Sequence, residues 1–310
     1  MEYVYGPVPS RRLGKSLGID PLPSKTCNYQ CIYCQLGKTT IFTNKRKNYC
    51  PKRDIIKEID EVLTESEQDF DYLTLVGSGE PTLYKDLGEL IRFAQKRTNK
   101  PICVITNGSL LSEKNVRDIL FDVDLLLPTL DAGNTKTFRL INRPHPEINF
   151  DNLIRGFLEF KESFTKQFWI EVMLVRDVND SKDELLQIKS FLDDIQPDRI
   201  DINVPIRPPV EIWVKKPKNT ILKLLDEIFG DYKDINFPEM GIFGKFSSDF
   251  EKEFLSIIER HPMRQEQIIE TFKTSINTES NILETLDILE SKNIIQKNIY
   301  QGKIFWKLRN

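Results

Sequence analysis

The chain has 310 residues, of which 39% are hydrophobic and 29% are charged, and its formal net charge is -3. This composition is typical of a globular protein with two domains, and the charge argues against a general attraction to nucleic acid or to an anionic membrane. The chain has five cysteines, and this odd number argues against a disulfide-rich protein and favours the cytoplasm. It has no apolar run of the roughly 20 residues that a bilayer requires, which argues against a membrane-spanning protein.

Short apolar runs rich in branched residues alternate along the chain with longer segments of helical period, which predicts βα units around a parallel sheet. Strands are predicted at 16–20, 72–79, 102–108, 124–130, 168–175 and 199–205. Helices are predicted at 52–67, 85–98, 112–120, 134–142 with 151–165, 181–195 and 219–229. Six such units are too few for a closed barrel. We therefore expect an α/β fold with a partial, three-quarter TIM-like barrel of six βα units, whose reactive groups lie at the carboxyl ends of the strands.

Three cysteines, Cys27, Cys31 and Cys34, stand together in the segment TCNYQCIYCQLG, which follows the first predicted strand. A single zinc ion would require a fourth Cys or His ligand, and the two histidines, His145 and His261, lie in segments without paired ligand spacing. Three thiolates suit a cluster of four irons and four sulfides, in which one iron has no protein ligand and is open for chemistry.

Glycine and polar residues follow each of the other predicted strands. The segments are GSGEPT (77–82), TNGS (106–109), PTLDAG (128–133), VRDVND (175–180) and VPIRPP (204–209). Each segment alone is an ordinary turn, but their recurrence at every strand end, behind a cysteine loop, favours a binding site. The glycines permit close backbone approach, and the Glu80 carboxylate can accept hydrogen bonds from an ammonium group.

The cysteine segment matches a CxxxCxxC motif, and the chain thereby resembles the radical S-adenosylmethionine superfamily, with Tyr33 at the motif's aromatic position. Gly77-Ser78-Gly79-Glu80 resembles the GGE-type loop of that family, with Ser in the second place. The run 5–40 is similar to the uncharacterised iron-sulfur oxidoreductases grouped with wyosine-tRNA synthetases, and the resemblance covers roughly residues 3–235. It implies a [4Fe-4S] cluster that binds S-adenosylmethionine and supplies one electron to form a 5'-deoxyadenosyl radical, which takes hydrogen from a substrate.

The resemblance also implies roles for individual residues. Cys27, Cys31 and Cys34 would be the cluster ligands, and Tyr33 would lie against the adenine. The amino group would meet Gly77, Ser78, Gly79 and Glu80, and the ribose or carboxylate would meet Asn107, Thr129 and Asp131. Arg207 would clamp a carboxylate or a substrate phosphate.

The remaining cysteines bear on the number of clusters. Wyosine-forming enzymes use further N-terminal cysteines for a second cluster, and here no cysteine precedes Cys27. Cys103 lies within a predicted strand and is expected to be a core residue, and it forms no second ligand group with Cys50. No cysteine follows Cys103, where an auxiliary-cluster domain would need several. A single-cluster enzyme is therefore expected.

The tail predicts a second domain, so that the chain divides into a barrel domain, 1–240, and a small α+β domain, 246–310. Helices are predicted in 247–262, with a capping Ser at its start, in 264–273 and in 279–293; two strands around Gln301–Gly302 follow in 294–309. This order is typical of a winged helix. Residues 249–310 contain nine Lys and Arg and ten Asp and Glu, which gives a local charge of -1. This charge favours a docking element for a protein or peptide over a DNA-binding domain. The alternative is a lid on the open barrel.

Basic residues cluster just after the cysteine loop, at Lys38, Lys45, Arg46, Lys47, Lys52 and Arg53. They indicate either a solvated face or a docking surface, for an acidic flavodoxin- or ferredoxin-like electron donor or for an RNA substrate.

The sequence as a whole predicts a cytoplasmic radical enzyme whose substrate is a macromolecule: a peptide, a protein or an RNA. The alternative is a nucleic-acid-binding regulator that uses its cluster as a redox sensor without turnover.

Overall fold

The computed structural model describes residues 2–65, 69–239, 241–244, 249–274 and 278–309. Within those ranges the strands are β1 (Val4–Ser10), β2 (Gly14–Ile19), β3 (Thr26–Cys27), β4 (Ile41–Phe42), β5 (Tyr72–Leu75), β6 (Ile102–Thr106), β7 (Leu125–Pro128), β8 (Gln167–Met173), β9 (Arg199–Asn203), β10 (Lys233–Asp234), β11 (Met263–Arg264), β12 (Ile295–Tyr300) and β13 (Lys303–Leu308). The helices are α1 (Lys52–Glu65), α2 (Leu87–Arg97), α3 (Lys114–Leu120), α4 (Thr135–Ile141), α5 (Phe150–Ser163), α6 (Lys182–Ile195), α7 (Ile221–Phe229), α8 (Phe250–Ile258), α9 (Gln265–Phe272) and α10 (Glu279–Ser291).

The main sheet has eight strands in the order β1-β2-β5-β6-β7-β8-β9-β10. From β2 to β10 neighbouring strands run parallel, whereas β1 pairs antiparallel with β2. The fold is therefore mixed α/β with a central parallel sheet. Because parallel strands end at the same edge, the loops after β2 and β5 to β9 meet on one side of the molecule.

The six predicted βα units are present, with β2 and β5 to β9 as their strands and helices at each predicted position. The predicted strands extend too far at their carboxyl ends: the strand predicted at 72–79 is β5, which ends at Leu75. Gly77 and Gly79 leave the sheet there because glycine favours turns over strand interiors. The helix predicted at 52–67 is α1, and residues 66 and 67 lie outside the described part of the chain.

Strand β1 is the main element that the sequence did not predict. Its residues pair antiparallel with β2, from Val4 opposite Ile19 to Ser10 opposite Gly14. Pro7 and Pro9 lie within it and break the usual strand pattern. Proline lacks a backbone donor and is tolerated in a strand at the edge of a sheet, which is where β1 lies.

The core of the main sheet consists of branched and aromatic side chains that its helices cover. Leu73, Val104 and Phe168, from three of its strands, are fully buried in one hydrophobic cluster. Cys103 is also fully buried, as predicted for a core residue. Within the described ranges, no helix combines the length and the apolar character needed to cross a membrane.

The described residues 249–274 and 278–309 form a smaller unit, here called the C-terminal unit. It contains α8, α9 and α10 and a three-stranded sheet in the order β11-β13-β12. The predicted turn between the last two strands is confirmed, with positive φ of 50° at Gln301 and 76° at Gly302. The predicted Ser cap, at 247 or 248, lies outside the described residues, and Asp249 caps α8 by accepting a hydrogen bond from the backbone N–H of Lys252 at 3.2 Å.

The C-terminal unit packs against the β1–β2 hairpin. Tyr5 and Val8 of β1 are buried in the same hydrophobic cluster as Phe254, Ile257 and Trp306 of the C-terminal unit. The hairpin therefore belongs to both cores, since its backbone pairs with the main sheet while these side chains enter the smaller core.

Candidate active site

The loop after β2 holds the three cysteines at the carboxyl edge of the main sheet. Short parallel pairing ties the loop together, with Thr26 opposite Ile41 and Cys27 opposite Phe42. All three thiols are free and half-buried. Cys31 and Cys34 line a cavity of about 310 Å³, which opens among the strand ends and the C-terminal unit.

The thiols are close enough to influence one another. Burial, and then the charge of Glu80, raises the pKa of Cys27 to about 12. Burial and the neighbouring Cys27 raise the pKa of Cys31 well above its ordinary value. Without a metal the Cys27 and Cys31 thiols are protonated at neutral pH, so metal binding there must release protons.

Hydrogen-bond donors point at two of the sulfurs. The backbone N–H of Tyr29 donates to Cys27 Sγ at 3.4 Å, and Asn142 Nδ2 donates to Cys31 Sγ at 3.6 Å. Three free thiols on one loop, with donors directed at two of their sulfurs, are the donor set that an iron-sulfur cube takes at its three ligated corners. In the described part of the chain, no three His, Cys, Asp or Glu side chains form a group that could hold a single metal ion.

The GSGE loop (Gly77–Glu80) follows β5 and packs directly on the cysteine loop. The backbone N–H of Glu80 donates to the Thr26 carbonyl at 3.1 Å. A Cβ at Gly79 would lie 2.8 Å from the Thr26 carbonyl carbon and closer still to its oxygen, and one at Gly77 would collide with the Asp20 carboxylate. The glycines are thus required by contacts within the protein.

Asp20, just past the end of β2, links the GSGE loop to the C-terminal unit. Its Oδ2 accepts hydrogen bonds from the backbone N–H and the hydroxyl of Ser78, at 3.0 and 2.9 Å. The same oxygen forms an ion pair with Arg260 Nε at 3.0 Å, and both side chains are at least 94% buried. The pair was not predicted, because nothing in the local sequence joins the two residues.

Glu80 is buried and held by four donors. It accepts from the Thr82 N–H at 3.0 Å, from the hydroxyls of Thr82 and Thr106 at 2.6 Å each, and from the Asn107 N–H at 2.7 Å. Burial nevertheless raises its pKa. The side chain is therefore fixed in place beside the cysteine loop, ready to pair with a cationic group.

Tyr33 and Asp131 contact each other, as do Asn107 and the cysteine loop. The Tyr33 hydroxyl donates to Asp131 at 2.5 Å, and Asn142 Nδ2 donates to the same carboxylate at 2.7 Å. Burial raises the pKa of Asp131 to about 6. Asn107 Nδ2 donates to Asn28 at 2.7 Å. The structure thus joins Tyr33 to Asp131, and Asn107 to the cysteine loop.

Thr129 has a different environment from the other predicted residues. It pairs through its backbone with Glu171 of β8 in an isolated parallel bridge.

Arg207 lines the cavity and is surrounded by residues that the sequence did not suggest. Its guanidinium donates to Gln35 at 2.5 Å, forms an ion pair with Glu239, and lies 2.7 Å from Nε2 of His261. Arg11 also reaches Glu239, at 3.7 Å. His261 comes from the C-terminal unit, so both parts of the protein build the cavity wall.

The predicted basic cluster is partly engaged by the protein itself. Arg46 Nε donates to the Thr82 carbonyl at 2.8 Å, and Lys52 pairs with Asp86 at 3.0 Å and with Glu89 at 2.6 Å. The remaining four, Lys38, Lys45, Lys47 and Arg53, are exposed.

The cysteine motif, the glycine loop packed on it and the parallel sheet behind them define a radical S-adenosylmethionine enzyme. The chain belongs to the Radical SAM superfamily, whose family model it matches over residues 22–188. It is 35% identical to a UPF0026 protein of Methanocaldococcus jannaschii, over 99% of this chain and 96% of that protein. It is also 38% identical to a protein of Brachyspira hyodysenteriae named GTPase Obg, over 96% of this chain, which spans only 44% of that protein.

Solved structures share the fold at low sequence identity. SuiB of Streptococcus suis, bound to its precursor peptide SuiA, has a TM-score of 0.53 and 17% identity, covering 72% of this chain and 49% of that one. A radical SAM methyltransferase of Sphaerobacter thermophilus has a TM-score of 0.51 and 15% identity, covering 71% and 64%. With the family assignment, the protein is an enzyme whose cofactors are a [4Fe-4S] cluster and S-adenosylmethionine. The assignment favours the enzyme over the redox-sensing regulator.

Proposed function

We propose that the protein is a single-cluster radical enzyme that cleaves S-adenosylmethionine reductively and acts on part of a macromolecule. The observation that supports this most directly is that two of the motif thiols and Gly77 of the GSGE loop line the same cavity. When bound, the cluster would supply the electron that breaks the C5'–S bond, giving a 5'-deoxyadenosyl radical that takes a hydrogen atom from the substrate.

The cluster would be held by Cys27, Cys31 and Cys34. The sulfur-directed donors from Tyr29 and Asn142 support this assignment, because such bonds stabilise thiolates in metal sites. Cys103 is fully buried in β6 and would take no part.

The neighbouring side chains would position S-adenosylmethionine. Tyr33 would lie against the adenine, and the GSGE loop, including Ser78, would meet the amino group. Glu80 has the strongest support, because its buried carboxylate is already fixed by four donors and offers charge to an ammonium group. Asn107, Thr129 and Asp131 would meet the ribose or carboxylate, and Arg207 would meet that carboxylate or a substrate phosphate.

The architecture supports two domains with different roles. We infer that residues 1–240 form the open, six-unit barrel and that 246–310 form a winged-helix-like domain. The order α8-β11-α9-α10-β12-β13, with β12 and β13 as the hairpin, supports the second inference. The contribution of His261 and Arg260 to the cavity indicates that this domain also acts as a lid.

A macromolecular substrate would enter only in part. A cavity of about 310 Å³ is at the small end of ligand pockets and must also receive the reacting part of S-adenosylmethionine. The bulk of a peptide, protein or RNA would therefore remain outside, docked on the C-terminal unit. The exposed Lys38, Lys45, Lys47 and Arg53 would attract an acidic flavodoxin- or ferredoxin-like electron donor.

The test is anaerobic reconstitution followed by reduction with dithionite in the presence of S-adenosylmethionine. The wild-type protein should bind about four irons, as the cluster requires, and release 5'-deoxyadenosine, measured by chromatography. Cys31→Ala should lose both the iron and the product.

Cys103→Ala is the matched control, because it removes a thiol that lies outside the motif. It should retain the iron and the product. A Cys31→Ala protein with full iron and full cleavage would refute the ligand assignment, and loss of iron from Cys103→Ala would show that the ligand set is wrong.

A further inference from the structure

Two arginines from distant segments share one carboxylate in the cavity wall. Arg11, which follows β1, and Arg207, which follows β9, both pair with Glu239. The side chains of the two arginines are 8% and 10% exposed, and that of Glu239 is 4% exposed. Burial lowers the pKa of each arginine to about 10. Holding two cations beside one anion away from water is unfavourable unless another anion joins them.

The C-terminal unit adds donors to the same place. Arg264 Nη2 donates to the backbone carbonyl of Glu239 at 3.1 Å, while its Nε is buried and finds no partner among the described residues. Since Arg207 can only donate, Nε2 of His261 must accept from it, and the imidazole hydrogen is on Nδ1. This Nδ1–H is likewise buried without a partner within the described ranges.

The charge in this part of the wall is unbalanced. The guanidinium groups of Arg11 and Arg207 pair with the Glu239 carboxylate, and that of Arg264 contacts the backbone carbonyl of the same residue. Three cations against one carboxylate leave an excess of two positive charges. The other arginines nearby are each balanced by a carboxylate of their own: Arg12 by Glu171, Arg199 by Asp201, and Arg260 by Asp20.

We propose that the cavity wall of Arg11, Arg207 and His261, with Arg264 against the backbone carbonyl of Glu239, binds a phosphate group of the substrate; this set of residues is here called the anion wall. The inference rests on the proposed function, which makes this cavity the reaction chamber. The single carboxylate of S-adenosylmethionine would neutralise at most one of the two excess charges. Donors that come from three segments of the chain suit a tetrahedral oxyanion, whereas a planar carboxylate is satisfied by one forked guanidinium.

The experiment measures binding of inorganic phosphate by calorimetry to the anaerobically reconstituted protein, saturated with S-adenosylmethionine and at constant ionic strength. Arg11→Gln should weaken binding about tenfold, as expected for the loss of one charge-assisted contact. Glu239→Gln removes the competing carboxylate and should tighten binding. Opposite effects from neighbouring substitutions cannot come from general structural damage.

Further substitutions and a second anion serve as controls for the phosphate measurement. Arg92→Gln removes an exposed arginine of α2 and should leave phosphate binding unchanged. If Arg11→Gln melts well below wild type, Arg207→Gln provides the second test, with the same expected loss. Acetate is the carboxylate probe and should bind much more weakly than phosphate; equal binding would overturn the choice of phosphate.

The proposal is refuted if wild type does not bind phosphate, or if Glu239→Gln weakens binding as much as Arg11→Gln does. In either case 5'-deoxyadenosine formation would still stand as evidence for the proposed function. Conversely, phosphate binding by a protein that forms no cluster would support the anion wall and contradict only the proposed radical chemistry.

Discussion

Replacing Gly79 by alanine tests how tightly the GSGE loop is packed on the cysteine loop. A Cβ there would lie 2.8 Å from the Thr26 carbonyl carbon, inside the 3.0 Å that Cβ contacts essentially never cross. The obstacle is backbone of the residue before Cys27, so it cannot rotate away. The two loops must separate, and the hydrogen bond from Glu80 N–H to the Thr26 carbonyl must lengthen.

Overpacking a close contact typically costs about 1–3 kcal/mol, and a backbone obstacle places Gly79→Ala at the upper end, about 3 kcal/mol. At about 2 °C per kcal/mol for a large domain, the melting temperature should fall by about 6 °C. The assay is thermal unfolding of the cluster-free protein by circular dichroism, followed by iron analysis after reconstitution. Iron binding should fall too, because the displaced Thr26 precedes a predicted ligand.

Gly88 in α2 provides the matched control. Its added Cβ would lie 3.0 Å from Ile119 Cγ2 and 3.1 Å from Arg92 Nη1, so the Ile119 methyl group needs to shift by only a few tenths of an ångström and the long Arg92 side chain can move away. Alanine in a helix interior also gains about 1 kcal/mol over glycine, so Gly88→Ala should melt within about 2 °C of wild type. If Gly79→Ala also melts within about 2 °C of wild type and binds iron normally, the two loops are not in close contact at Gly79.

Three further experiments probe other contacts. Arg260→Met should lower the free energy of unfolding by about 3–5 kcal/mol in denaturant titrations, because it removes the cationic partner of the buried Asp20 carboxyl group; adding Asp20→Asn should restore part of the loss. Burial and Arg207 hold the pKa of His261 at about 3, so as pH falls below 6.5 only the unfolded chain takes up this proton and stability drops. Between pH 7 and 5 wild type should lose about 2 kcal/mol more than His261→Gln, and equal losses would contradict this. Asn142→Leu should lower the reduction potential of the cluster in potentiometry monitored by electron paramagnetic resonance, because it removes a donor from Cys31 Sγ; an unchanged potential would exclude that role.

The parts of the fold that the sequence predicted are those encoded locally. The periodic apolar segments fix the six βα units, and the cysteine motif lies within one loop, so neither depends on distant contacts. β1 was missed because Pro7 and Pro9 hide a strand that is permitted only by its place at the sheet edge. Its edge position is a property of the assembled sheet and is not visible in its own residues.

The anion wall could not be predicted for a related reason. Arg11 contacts Asn203 and the carbonyl of Ile235, which are 192 and 224 residues away in sequence. His261 meets Arg207 across 54 residues. Of its residues only Arg207 was predicted, as a clamp for a carboxylate or a substrate phosphate. The adjacent arginines in SRRLG did not indicate a site, because a pair of basic residues in a turn is usually solvated. By contrast, the predicted neighbours Tyr33 and Asp131 lie close together because both follow parallel strands.

The position of Tyr5 and Val8 has a consequence for how the protein denatures. These side chains complete the core of the C-terminal unit, yet their strand is hydrogen-bonded to the main sheet. Neither unit can lose its packing without exposing apolar surface of the other, so the two should melt as one cooperative block. Differential scanning calorimetry should show one heat-absorption peak, with calorimetric and van't Hoff enthalpies that agree.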